Sequence, residues 1–313
     1  MNILIIGGCG YTGSVLTSKI LKLNHTVTVV DAQWFGNYLI KDPSLKIIKA
    51  DIRDHNAINF EGFDSVIHLA NIANDPSVEL NPLLSWEVNV LATHSLIEKA
   101  IKNSVKQFIF ASSGSVYGVK KEEKVTEDLE LVPISYYNKT KMIAERILLS
   151  YKDKIKVHCI RPATVCGYSP RMRFDLTVNM FIKQAFVEKK ITVFGGEQIR
   201  PNIHVNDLAN VYIHFLNNSQ LDAGFYNAGF ENLSILEVAN LVSEKIPTKI
   251  EIKENSKDIR SYRQNSDKLL NTGFKKNFSV KHAIDEVYNK FLNKEIEDKE
   301  NCYTVDWMKK IKI

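Results

Sequence analysis

"NILIIGGCGYTGSVLTSKIL", residues Asn2 to Leu21, is the stretch on which the fold turns. It begins as an apolar run of strand length, breaks at glycines, and continues with Val15, Leu16, Ile20 and Leu23 at helical spacing. The glycines fit two registers: Gly8, Gly10 and Gly13 spell GxGxxG, while Gly7, Gly10 and Gly13 spell GxxGxxG. Either register predicts a tight turn, a backbone bare enough for a pyrophosphate to approach, and helix N–H groups aimed at that anion. A second apolar strand, "HTVTVVDA", carries Asp31 at its end, where a carboxylate accepts from an adenosine ribose hydroxyl. A carboxylate there repels a 2′-phosphate, so NAD is expected rather than NADP.

Outward from this unit the pattern repeats. "LKIIKAD" is a third strand ending at Asp51, "FDSVIHLA" a fourth, and a helix is expected over about 82–103 before the fifth strand "KQFIFAS". Strands and helices alternating at this spacing predict α/β architecture, a doubly wound parallel sheet with helices on both faces. Ligands bind such sheets beyond the carboxyl ends of the strands. His68, inside an apolar strand, is expected as a satisfied core histidine.

Composition bounds the rest. The chain has 313 residues, 44% hydrophobic and 25% charged, enough for one large or two modest domains. The formal charge of +5 is spread over lysine pairs in separate segments, and no basic stripe interleaved with aromatics suggests a nucleic-acid partner. Cys9, Cys159, Cys166 and Cys302 show neither a CxxC pair nor metal-ligand spacing, so free thiols and no metal are expected. "MNILIIGG" lacks a basic n-region and no run is long enough to span a bilayer, which predicts a cytoplasmic protein without a membrane partner.

"SYYNKTK", Ser135 to Lys141, holds two adjacent tyrosines and two lysines, and its spacing decides which tyrosine could be acidified. In a helix, residues four apart share a face, so Tyr137 faces Lys141 while Tyr136 faces Thr140. Lowering a phenol from about pKa 10 to neutrality takes roughly 4 kcal/mol. A unit positive charge about 4 Å away supplies roughly that at an effective dielectric of 20.

With "FIFASSGSVYG" followed by "YYNKTK", the chain resembles the extended short-chain dehydrogenase/reductases, specifically the nucleotide-sugar (NAD-dependent) epimerase/dehydratase family. The GxxGxxG register, "DIR" at 51–53, "HLAN" at 68–71, "SSGSVYG", YxxxK, "IRPATVCGYSP", "RPNIHVNDLA" and "DIRSYRQNSDKL" fall in that family's order. The resemblance implies that Tyr137 is the acid/base, Lys141 its partner and holder of the cofactor ribose, and Ser113 the hydroxyl that holds the substrate oxygen; physics alone does not choose among Ser112, Ser113 and Ser115. It assigns NAD contacts to Gly7, Gly10, Tyr11, Thr12, Gly13, Asp31, Asp51, Ile52, Leu69, Ala70, Asn71, Asn89, Tyr137, Lys141 and Arg161. It assigns substrate contacts to Ser115, Thr164, Asn179, Arg200 and Arg260.

The resemblance also implies a Rossmann domain over 1–164 plus about 203–228, and a smaller mixed α/β cap over about 165–202 and 229–313 that grips a nucleotide-diphospho-sugar. A homodimer is implied through the helix after Leu80 and the helix carrying Tyr137. Arg171 and Arg173 have no firm counterpart and read equally as a solvated pair or a sugar contact. The tail "NKEIEDKENCYTVDWMKKIKI" reads as a docked helix or as a free end.

Three departures bear on the reaction. Gly114 and Ser115 replace the Asp–Glu pair of dehydratases, so no acid protonates a leaving hydroxyl. Thr164 stands where the family often has Asn, and Pro201 interrupts "RDxIHV". The expected reaction is oxidation of a sugar hydroxyl, the 4-hydroxyl, for net epimerisation in surface-polysaccharide sugar biosynthesis. The alternative is net 4-dehydrogenation or ketoreduction, with a GDP-heptose-like substrate. A non-catalytic dinucleotide sensor has no use for an acidified phenol, and an apolar-substrate reductase has none for Arg200 and Arg260.

Overall fold

The computed structural model describes residues 1–54, 56–254 and 261–313. Seven parallel strands form the central sheet: β1 (Asn2–Ile6), β2 (Thr26–Asp31), β3 (Leu45–Lys49), β4 (Ser65–His68), β5 (Gln107–Ala111), β6 (Lys156–Pro162) and a last strand, Gly224–Ala228. From one edge the order is β3, β2, β1, β4, β5, β6, last strand. The chain therefore reverses its direction of travel between β1 and β4. That switch point opens a crevice beyond the carboxyl ends of the strands.

The sheet is buried on both sides because its strands carry apolar residues at consecutive positions. Ile3, Leu4, Ile5 and Ile6 are all fully buried. Alternation sends Leu4 and Ile6, with Phe108 and Phe110, to a core shared with Leu96, Ile97, Ala144 and Leu148. Ile3 and Ile5, with Val27 and Val29, face Leu16, Ile20, Val211 and Phe215 on the opposite side. Each such side chain contributes about 1.5–3 kcal/mol of burial, so a carboxylate at Ile5 would break the sheet rather than decorate it.

The helix expected over 82–103 is continuous but not uniform. It runs as Pro82–Trp86, a π-helical Glu87–Ala92, and Thr93–Lys102. Asn81 starts it by accepting from the Leu84 N–H, with Pro82 in the first turn, where its missing donor costs nothing.

A third core lies in the C-terminal half. Phe174, Phe181, Val193, Val242, Ile284 and Phe291 belong to it, with Phe174 stacked on Phe291 at 5.6 Å between centroids. Two small sheets accompany it: Glu231–Ser234, Ile199–His204 and Thr164–Cys166, and the parallel pair Lys249–Lys253 with Lys190–Phe194. Tyr11, at the start of the helix Tyr11–Leu21, joins this same core. Among the described residues, no helix is long and apolar enough to cross a membrane.

Candidate active site

The glycine registers are separated by backbone geometry. Gly7 has φ +89°, and a Cβ there would lie 2.4 Å from the Ala70 nitrogen. A Cβ on Gly13 would lie 2.4 Å from the Gly7 carbonyl oxygen. Gly10 is the N-cap of Tyr11–Leu21, with no side chain bonded to the first-turn N–H groups. A Cβ on Gly8 would also lie 2.7 Å from the Val29 methyls, so it is the positive φ of Gly7 that favours the GxxGxxG register, and the helix start is left open to an anion.

One cavity runs along the carboxyl edge of the sheet. Gly7, Gly10, Tyr11, Thr12, Gly13, Asp31, Asp51, Ile52, Leu69, Ala70, Asn71 and Tyr137 all line it. It crosses the ends of β3, β2, β1, β4, β5 and β6, five strand spacings or roughly 24 Å. The Asp31 carboxylate accepts from the Cys9 N–H at 2.9 Å and the Gln33 N–H at 2.7 Å, so it shapes the glycine loop and keeps lone pairs for a hydroxyl donor. Burial holds its pKa above the ordinary value, opposed by those two backbone bonds and by the charge of Arg171. Asp51 is gripped by Arg53, whose hydrogen bonds outweigh the effect of burial and hold the Asp51 carboxyl below its usual range. A dinucleotide fits this donor and acceptor set: an uncapped helix start for phosphates, a carboxylate for ribose, and a phenol at the far strands.

Tyr137 and Tyr136 are separated as their spacing predicts. Ser135 caps the helix Tyr136–Leu149 by accepting from the Asn138 N–H, and also donates to Asp75. Tyr137 then turns into the cavity while Tyr136 is 50% exposed. Lys141 lies on the same face, its Nζ 5.9 Å from the Tyr137 ring centroid. It is buried, donates to the Ala111 carbonyl at 2.8 Å, and sits over the Phe110 ring at 4.8 Å. Burial pushes its pKa down to about 7, against the pull of Glu145. Spacing alone makes Lys141 a unit positive charge beside Tyr137; in the fold, burial opposes that charge.

Ser113 begins the short helix Gly114–Tyr117; its Oγ accepts from the Ser115 N–H and lies 2.8 Å from the Ser115 Oγ. Ser115 in turn accepts from the Asn138 Nδ2 at 2.9 Å. Ser112, rather than either of these, lines the cavity wall, and its buried hydroxyl has no hydrogen-bond partner among the described residues.

Several expected ligand residues sit behind the wall rather than on it. Asn89, in the π-helical turn, accepts from the Ile72 N–H and donates to Ile72 O and Thr140 Oγ1. Thr140 donates to Tyr137 O, so Asn89 ties the loop after β4 to the tyrosine helix. Arg161 is 1% exposed, makes a two-pronged ion pair with Glu145 at 2.9 Å, and donates to the Tyr117 hydroxyl. Asn179, fully buried, accepts from the Gly167 N–H and donates to the Tyr11 hydroxyl and Arg173 O. Thr164 is partly buried on its short strand, and Arg200 is 9% exposed. Arg260 lies outside the described residues.

His68 is fully buried, 2.9 Å from the Thr93 hydroxyl, and burial pushes its pKa down to about 3. All four cysteines are free and buried.

The structure adds residues the sequence left undecided. Arg171 and Arg173 line the cavity, which overturns the solvated-pair alternative. Arg173 makes a two-pronged pair with Asp175 at 2.8 Å. The tail docks: Trp307 Nε1 donates to Trp34 O at 2.7 Å, and Asn301 donates to Phe35 O and the Tyr38 hydroxyl. Thr304 and Met308, one helical turn apart, thereby join Trp34 and Phe35 in the cavity wall. The i, i+4 pair in "TVDWMKK" was the available signal, but seven residues carry too short a period to stand out.

The fold and cavity define a Rossmann-type dinucleotide-dependent enzyme. The profile of the NAD dependent epimerase/dehydratase family matches residues 3–229. The chain belongs to that family, and its cofactor is NAD. UDP-glucose 4-epimerase of Lactobacillus helveticus is 31% identical over 273 residues, covering 78% of this chain and 82% of the relative. The crystal structure of UDP-glucose 4-epimerase with UDP-glucose from Thermotoga maritima superposes with a TM-score of 0.85 at 24% identity, covering 95% of this chain and 100% of that one. The Thermus thermophilus UDP-glucose 4-epimerase complex with NAD gives 0.80 at 23% identity, covering 92% and 99%.

Proposed function

We propose that this enzyme epimerises a nucleotide-diphospho-sugar by oxidising its 4-hydroxyl and reducing the resulting ketone from the other face. The observation that carries the reading is that Tyr137 and the GxxGxxG loop line a single cavity. Bound NAD supplies the hydride acceptor and donor. Tyr137 takes the hydroxyl proton and later returns one, and Lys141, charged once an anion is beside it, stabilises the phenolate. The role of holding the substrate oxygen falls to Ser113 by the family resemblance, with Ser115 and Asn138 fixing its direction, while Ser112 is the serine that lines the cavity. Arg200, Ser115 and Thr164 remain the substrate-side groups; Asn179 acts by fixing Gly167 and Tyr11.

Two features favour epimerisation. Gly114 and Ser115 put no carboxylic acid after Ser113, which disfavours loss of water. The docked tail adds Thr304 and Met308 to the cavity wall beside Trp34 and Phe35, which favours a retained rather than an exchanged cofactor. A homodimer fits Leu83 and Leu91, 70% and 62% exposed on the 82–102 helix.

The test is incubation of the purified protein with UDP-, GDP-, CDP- and dTDP-sugars, following reduced nicotinamide by absorbance and sugar configuration by NMR. Isomer formation without net reduction is expected. Stoichiometric reduced cofactor with a released keto product would instead establish a net dehydrogenase.

A further inference from the structure

Arg171 is 4% exposed, yet makes no hydrogen bond or ion pair among the described residues, and its Nε is a buried atom without a partner. Its guanidinium carbon stands 4.2 Å from the Phe35 ring centroid, and it lines the cavity that holds Gly10 and Asp31. Asp175, the nearby carboxylate, is occupied by both prongs of Arg173. The charge of Arg171 is felt by the Asp31 and Asp175 carboxylates, yet neither hydrogen-bonds it; a buried guanidinium left without such partners is costly, and burial lowers its pKa to about 10. Such a group is kept where an anion arrives.

The chain path says which anion. The segment leading to Arg171 is stapled across the first turn of the helix Tyr11–Leu21. The Tyr11 hydroxyl donates to Gly167 O at 2.5 Å, the Ser169 hydroxyl donates to Tyr11 O at 2.7 Å, and Ser14 Oγ lies 2.9 Å from Ser169 Oγ. These bonds tie the chain two residues before Arg171 to the first turn of that helix, whose uncapped start offers N–H groups to an anion in the same cavity that Arg171 lines.

We propose that Arg171 is the counter-charge to the cofactor's diphosphate, reaching it from the side opposite the glycine loop. The planar fork binds phosphate oxygens while Phe35 supports its face. Dinucleotide binding thereby joins the C-terminal half of the chain to the sheet through one side chain. The proposal rests on the cavity being the NAD site.

The test separates phosphate from adenosine and cofactor from substrate. Arg171→Met keeps the stem and removes the charge. Its dissociation constant for ADP-ribose, by calorimetry, should rise roughly 10- to 100-fold, while adenosine binding, by saturation-transfer NMR, stays within about twofold of wild type. Arg171→Lys, which keeps a point charge but loses the fork, should lie between; should the Met variant not fold, this variant's loss for ADP-ribose but not adenosine carries the test. ADP-ribose affinity unchanged in Arg171→Met, or equal losses for both ligands, would overturn the assignment. So would a loss confined to nucleoside diphosphates of the substrate type. Wild-type protein that binds neither ADP-ribose nor NAD would overturn the cofactor site itself, and this proposal with it.

Discussion

Lys141 and Tyr137 show how a shared helical face becomes a chemical unit only inside a particular environment. The lysine is buried against Phe110 and Ala111, so its charge opposes folding. Its folded pKa of about 7 lies below the unfolded value of 10.5. Between these the unfolded chain holds the extra proton, so cofactor-free protein gains stability as pH rises from about 7 toward 10.5. Lys141→Met should flatten that part of the curve in urea unfolding at a series of pH values; an unchanged slope would contradict the buried ammonium. Tyr137→Phe should lower turnover of any accepted sugar by about 10²–10⁴-fold with the dissociation constant for NAD unchanged, since the ring remains. Normal turnover by that variant would remove Tyr137 from its role. Arg161 predicts the converse. Removing one partner of the buried Arg161–Glu145 pair costs about 3–5 kcal/mol, so Arg161→Leu should appear as a lowered urea midpoint.

Elements extend the argument where single residues stop. The GxxGxxG unit, β2 with Asp31 and the tyrosine helix are each specified within about twenty residues: apolar period, glycine, cap, carboxylate. They were legible for that reason. The terminal helix Thr304–Lys310 was not, because it is short and its apolar side meets distant parts of the chain, among them Trp34, roughly 270 positions away. Deleting residues 304–313 exposes the cavity wall formed by Trp34 and Phe35. The truncated protein should retain its sheet by circular dichroism but bind NAD more weakly in titration, and unaltered affinity would count against the tail as a closure. On the 82–102 helix, Leu83 and Leu91 are eight residues apart on one exposed stripe. Leu91→Glu should convert a dimer to a monomer in light scattering, and an identical mass for both proteins would dismiss this face.

At the scale of the whole molecule, the sheet is a platform and the C-terminal core is fastened to it at the start of the glycine-loop helix. Tyr11 belongs to the C-terminal core while its backbone starts the glycine-loop helix. Asn179 and Gly167 close that joint. Ligand binding is therefore expected to stabilise both halves together: a hundredfold excess of NAD over its dissociation constant adds about 2.7 kcal/mol. A single cooperative melting transition should move upward as one, and a shift confined to part of a biphasic melt would separate the halves.

By itself the sequence determined the parallel sheet, the glycine turn, the carboxylate at Asp31 and the pairing of Tyr137 with Lys141. Each of these is written in a local period or a short spacing that backbone geometry enforces. Only the tertiary structure decided that Arg171 and Arg173 face the cavity, that the tail adds Thr304 and Met308 to its wall, and that Asn89, Arg161 and Asn179 stand behind that wall. Those outcomes depend on which distant surfaces meet and on which buried charges find partners there, and no local spacing encodes either.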